Sequence, residues 1–244
     1  MEYKRYAFIL AFLILPLICT GQVKNLRLSA GISTIEILGD SPNSKTIVNR
    51  DTNVVTVGGS FNGTQPGFGF RAQASLDENN IYSIPFGFDY YFFEGLERIP
   101  APGSYTAKWR HTADIMTFTA GFNYAFVKFP LANVRGYASF ELRGSYIMQG
   151  EIVQTTINSQ TDSVSVNEYV TKESAFRLGG AIYIGFMGDI EDPLYINFYT
   201  GLGIMNLIGR DDNRGELLTP INYYENKESL VYNLHFSLQI QYRL

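Results

Sequence analysis

The sequence predicts an all-β protein, an eight-stranded antiparallel up-and-down transmembrane β-barrel with long extracellular loops and short periplasmic turns. Three observations predict it: an N-terminal export signal, eight segments whose apolar residues alternate with period two, and connections that alternate between long and short.

The export signal comes first. Lys4 and Arg5 precede the unbroken apolar run from Ala7 to Leu15, Pro16 interrupts it, and small residues follow up to Gly21. This is the three-part layout of a secretory signal, with cleavage expected before Gln22. The apolar run is too short to span a bilayer comfortably as an anchor. Cys19 is preceded by Ile18, where a lipoprotein signal wants a small residue, so acylation is not expected. Residues 1–21 are therefore read as signal peptide and 22–244 as one barrel domain. Cys19 is the only cysteine, so the exported chain has no disulfide framework and no thiol chemistry.

The strands follow in order. A weak alternation spans 26–35, and a second spans 68–76, where Phe68, Phe70, Ala72 and Ala74 oppose Arg71, Gln73 and Ser75. In 82–92, Ile84, Phe86, Phe88, Tyr90 and Phe92 oppose Ser83, Gly87 and Asp89; in 116–124, Phe118, Ala120 and Phe122 oppose Thr117, Thr119 and Asn123. In 138–148, Phe140, Leu142 and Tyr146 oppose Ser139, Glu141, Arg143 and Ser145. The segments 176–186 and 194–205 repeat the pattern, and 230–244 shows it most cleanly, with Leu234, Phe236, Leu238, Ile240, Tyr242 and Leu244 against Asn233, His235, Ser237, Gln239 and Gln241. The connections 38–66, 94–110, 149–173 and 207–228 are long, whereas 77–80, 128–133 and 189–193 are short. Within 149–173, residues 151–157 and 164–170 flank a polar turn and are expected to form a hairpin that prolongs the fifth and sixth strands beyond the membrane. No repeat of 20–50 residues appears beyond the hairpin rhythm.

Composition narrows the function. Apolar residues make up 45% and charged residues 17% of 244, enough to bury a core. Beyond the first twenty positions no run approaches the roughly 20 apolar residues a spanning helix needs, which excludes a polytopic helical transporter. A net charge of −4 without a Lys/Arg cluster argues against a nucleic-acid partner.

The alternation fits two opposite barrels. A soluble ligand-holding barrel turns its apolar face inward; a membrane barrel turns it outward. The signal, the loop asymmetry and the charges Arg71, Asp89, Glu141, Arg143 and Arg177 on the polar face favour lipid outside. Those five charges, confined to a narrow bore, are expected to form a lumenal salt-bridge network that plugs it, with Tyr91, Tyr137, Tyr183, Tyr195 and Tyr199 adding bulk. A narrow gated pore is the competing reading of the same residues.

Signal, strands, the Tyr82-Ser83-Ile84-Pro85 opening of the third strand and the closing Ile240-Gln241-Tyr242-Arg243-Leu244 together resemble the small outer-membrane barrels common in Bacteroidota, including PorT-like and OmpA/OmpX-type barrel domains. The resemblance covers essentially the whole exported chain through patterns rather than invariant motifs. It implies residence in the outer membrane, lipid contact, and an assembly signal for the barrel-assembly machinery in Leu238, Ile240, Tyr242 and Leu244. The final residue is Leu244 where many relatives carry Phe. It also implies a non-enzymatic structural or surface-interaction role, or that of a PorT-like accessory component with an extracellular or secretion-system partner.

Little chemistry competes with that expectation. His235 and Ser237 share a strand face at a spacing that looks like the His/Ser pair of outer-membrane lipid A deacylases, yet both are expected to point into the lumen, away from lipid. His111 beside Trp109 and Arg110 is expected at the outer interface, and Asp211 with Asp212 in a solvated loop. No cofactor or metal is expected.

Overall fold

In the computed structural model, residues 25–38, 46–49, 56–59, 61–100, 105–211, 216–219 and 227–244 are described. The expected export signal at 1–21 lies outside them, as does Asp212. Twelve strands are present: β1 (Asn25–Ile37), β2 (Thr46–Asn49), β3 (Thr56–Gly59), β4 (Thr64–Ser75), β5 (Tyr82–Pro100), β6 (Tyr105–Phe129), β7 (Val134–Ile147), β8 (Glu151–Asn158), β9 (Val164–Val170), β10 (Ala175–Glu191), β11 (Leu194–Ile208) and β12 (Tyr232–Arg243).

Eight of them close a ring. The order β5-β4-β1-β12-β11-β10-β7-β6 returns to β5 through a β5–β6 pairing, with every pair antiparallel. Closure leaves no unpaired edge within the ring, the condition under which a sheet can cross hydrocarbon with its backbone hydrogen bonds satisfied. No helix among the described residues is long and apolar enough to cross a membrane.

Alternation decides which face meets what. In β12, Leu238 is 42% exposed on the outside while its neighbour Gln239 is 1% exposed inside. Phe70, Phe118, Phe122, Phe140, Leu142, Ile182, Ile184, Phe236 and Ile240 are likewise turned outward. An apolar band this continuous is not water-facing in a stable monomer; it is the lipid-facing wall of a transmembrane barrel. Aromatic rings pack along it, with Tyr82 stacked on Phe122 and Tyr124 near the short turns and Phe68 on Tyr90 toward the opposite end. At the short-turn end, Asp77 accepts hydrogen bonds from the backbone N–H of Ile81 (3.0 Å) and Tyr82 (2.7 Å), and Asn80 adopts the left-handed conformation that such a turn favours in Asn. The start of β1 and the end of β12 meet at this same end, where Leu244 N–H donates to Leu26 O.

Two strands run much further than the alternation suggests. β5 extends to Pro100 and β6 begins at Tyr105, so the expected connection 94–110 is largely strand. Along these extensions the polarity of the pattern inverts. Below Phe92 the outward residues are apolar; above it Glu94, Arg98, Lys108 and Arg110 turn outward with Leu96 among them, while Phe93, Ala113 and Ile115 turn inward and are buried. The inversion marks the membrane boundary, because a wall in water needs its apolar face inside and a wall in lipid needs it outside.

The expected hairpin is present as β8 and β9. β8 pairs with β6 from Thr112↔Glu151 to Tyr105↔Asn158, continuing the line of β7, which leaves β6 at Ile115↔Ile147. β9 pairs with β8 and leads back toward β10. Distal β5, distal β6, β8 and β9 thus make a four-stranded sheet that rises from one side of the ring.

Candidate functional site

The lumen is assembled around Arg71, which enters from the inward face of β4. Its Nη1 donates to Thr119 Oγ1 (2.6 Å) and Glu141 Oε1 (3.1 Å), its Nη2 to Asp89 Oδ2 (3.1 Å), and its Nε to the Tyr199 hydroxyl. Room for this lies in the register: Arg71 is opposite Gly87, which is opposite Thr119, and a Cβ on Gly87 would meet both Arg71 Nη1 and Thr119 Oγ1. Arg143 stands above, its Nη1 3.4 Å from Asn233 Oδ1, its Nη2 3.4 Å from the Tyr91 hydroxyl and 4.0 Å from Asp89 Oδ2. Arg71, Asp89, Glu141 and Arg143 are all buried, and pairing of this kind is what makes ionised groups tolerable away from water.

Tyrosines and amides fill the remaining bore. Tyr137 donates to Asn197 Oδ1 (2.9 Å), and Gln239 accepts from the Ser29 hydroxyl (2.8 Å) and donates to the Tyr199 hydroxyl (3.2 Å). Tyr137 occupies the space left by Gly185 opposite it, where a Cβ would strike the ring. Toward the short turns, Arg27 lies over the Tyr195 ring, 5.0 Å from its centroid. The void left between Arg71, Glu141, Tyr137 and Tyr199 is about 10 Å³, room for a single water.

Arg177 lies apart from this network. It forms a two-pronged pair with Glu228 at the outer mouth, Nε to Oε1 at 2.8 Å and Nη2 to Oε2 at 2.7 Å. Glu228 also accepts from Asn206 Nδ2 (2.8 Å) and the Asp211 N–H (2.9 Å). The alternation could not single out Glu228, because it lies in a connection rather than on a strand face.

Between the polar middle and the mouth lies an apolar layer of Ile35, Ile37, Phe61, Tyr91, Phe93, Ile115, Ile147, Met205 and Val231, covered by Leu217 and Leu218. The short segment 216–219 is held down by the Lys172 N–H donating to Thr219 O (3.1 Å) and the Ser229 hydroxyl donating to Glu216 Oε2 (2.9 Å). Leu218 sits at a φ of 55°, an unusual conformation for a bulky side chain that turns it into the mouth. Burial pushes the Glu216 carboxyl above its ordinary value; the Ser229 hydrogen bonds oppose this and the charge of Glu228 adds to it.

The structure also places the remaining candidates. Ser237 donates to Ile32 O (3.2 Å), not to His235. His235 is enclosed by the rings of Tyr91, Tyr183 and Tyr199. His111 is not at an exposed interface but buried against Phe61, ring centroids 4.4 Å apart. No group of residues suited to a metal ion occurs among the described residues.

No family model matches the chain, and no curated protein matches it. Solved structures similar in form include bacterial outer-membrane and surface proteins. The attachment invasion locus protein Ail of Yersinia pestis shares 11% identity over 90% of this chain and 98% of its own, at a TM-score of 0.43. Neisserial surface protein A shares 13% over 89% and 96%, at 0.42. The outer membrane protein OprG of Pseudomonas aeruginosa shares 8% over 91% and 97%, at 0.46. Likeness at this level is one of general form, and the barrel stands on this chain's own ring of strands.

Proposed function

We propose that the chain is a non-enzymatic integral barrel of the bacterial outer membrane, of the kind common in Bacteroidota, that acts through its outer surface and not through its bore. The observation that carries this reading is the filled lumen: a hydrogen-bonded plug around Arg71 with a void of only about 10 Å³ beside it, and an apolar layer above. A barrel of eight strands leaves an interior that side chains can fill, and here they fill it. The export signal at residues 1–21, cleaved before Gln22, delivers the chain, and Leu238, Ile240, Tyr242 and Leu244, all outward-facing on or beside β12, present it to the barrel-assembly machinery.

A second reading, a PorT-like accessory component of a secretion system, draws support from β9. This strand ends the four-stranded sheet and exposes Val164, Val166 and Val170, and an apolar strand at a sheet edge is a template for a protein partner. Affinity purification from outer membranes separates the two. A stand-alone barrel is recovered without stoichiometric companions, whereas a companion lost on removal of residues 151–170 establishes the accessory role. Mass spectra of outer-membrane lipids from cells with and without the protein are expected to be identical; a missing acyl chain would contradict the non-enzymatic reading.

A further inference from the structure

Above the membrane boundary, the outward faces of β5, β6 and β8 form a groove of about 420 Å³. Leu96, Arg98, Lys108, Arg110, Val153 and Thr155 share that face, since Leu96 is opposite Arg110 and Arg98 opposite Lys108 on β6, and Arg110 and Lys108 are opposite Val153 and Thr155 on β8. Like charges directly across a strand pair destabilise a sheet unless something lies between them. Arg110 is already engaged by Glu94 at 2.6 Å, but no carboxylate among the described residues pairs with Arg98 or Lys108. Glu97, which also borders the groove, is opposite Trp109 and belongs to the other face of the sheet. Two facing cations over an aliphatic floor of Leu96 and Val153 are a site for an anion attached to something less polar.

The height of the site selects the anion's carrier. The face is continuous with the lipid-contacting wall, as Tyr90, Phe92, Glu94, Leu96 and Arg98 follow one another on the outward side of β5. Arg98 is six residues beyond Phe92, about 15 Å above the apolar band for a strand tilted as barrel strands are. The headgroup layer of a simple phospholipid is only about 5–7 Å deep, so its phosphate stays below Arg98. A headgroup lengthened by sugars reaches it. We propose that this groove binds the sugar-borne phosphates of an outer-leaflet glycolipid packed against the barrel. The inference rests on outer-membrane residence but not on the sealed lumen: a barrel that conducts solutes and still binds glycolipid keeps it.

Trp109, the only tryptophan, is buried on the sheet face behind the groove and reports that the sheet stays intact. The full chain, folded and immobilised in phosphocholine micelles, is titrated with labelled lipopolysaccharide carrying a phosphorylated inner core, retention being measured together with Trp109 emission. Saturable retention is expected, weakened about tenfold in an Arg98→Gln/Lys108→Gln variant that loses two charge-assisted contacts and comparably by enzymatic dephosphorylation of the glycolipid. The fast-migrating folded gel band is the control that the variant is intact; should it fail to fold, Arg98→Lys and dephosphorylated ligand decide. Retention unchanged by substitution or dephosphorylation, equal retention of phosphatidylglycerol, or competition by inorganic phosphate at equal concentration each overturn the proposal.

Discussion

Arg71 receives four contacts inside the bore, two of them from carboxylates, and so concentrates the plug's dependence on single side chains. Removing Glu141 leaves a buried guanidinium with one carboxylate fewer, a loss of the kind that costs about 3–5 kcal/mol. Glu141→Ala is expected to lower the temperature at which the fast-migrating folded gel form disappears; an unchanged transition would mean a water-filled lumen. All five expected lumenal charges were legible as polar-face residues of alternating segments, and four of them, Arg71, Asp89, Glu141 and Arg143, do converge. Arg177 was legible as inward-facing, but its partner Glu228 was not, since no periodicity marks a connection. A milder effect belongs to Asp77. Burial raises its carboxyl, yet the backbone N–H donors of Tyr82 and Ile81 outweigh this and hold it below the ordinary 3.8. A depressed carboxyl contributes stability above its unfolded pKa and loses it as pH falls through the folded value. Asp77→Asn is therefore expected to lower the denaturant midpoint at pH 7 and to show a smaller difference at about pH 3; a gap that does not narrow rules the turn interaction out.

At the scale of strands, the alternation gave the number and order of the barrel strands and the β8–β9 hairpin, but not the full lengths of β5 and β6. The reason lies at Phe92 and Phe93. Up to Phe92 the outward side is apolar; from Phe93 the inward side is, so a pattern followed in one phase stops where the strand enters water. Among the described strands the hairpin pairs with the ring only through β6, and Gly150 and Thr171 already touch at its base, Thr171 N–H donating to Gly150 O at 3.0 Å. Deleting residues 151–170 and joining Gly150 to Thr171 is expected to leave the barrel folded. Trp109, stripped of Ile152 and Tyr169, should shift its emission to longer wavelength. A deletion variant without the fast-migrating band contradicts an independent ring.

For the whole molecule, one relation carries everything else: apolar residues out to lipid, polar residues in to a closed bore. Leu238 and Gln239 test its first half. An arginine at a lipid-facing midplane position costs about 2–4 kcal/mol, so Leu238→Arg is expected to lower the denaturant midpoint in lipid vesicles more than Gln239→Arg, even though Gln239 is packed between Ser29 and Tyr199. The reverse order places the apolar face inside. The second half is tested most directly by solute entry. With the bore filled around Arg71 and the apolar layer that includes Leu217 and Leu218 above it, proteoliposomes carrying the full chain are predicted to show no swelling above protein-free liposomes in isosmotic sugar solutions. Swelling at porin-like rates would contradict the sealed lumen and make the protein a channel.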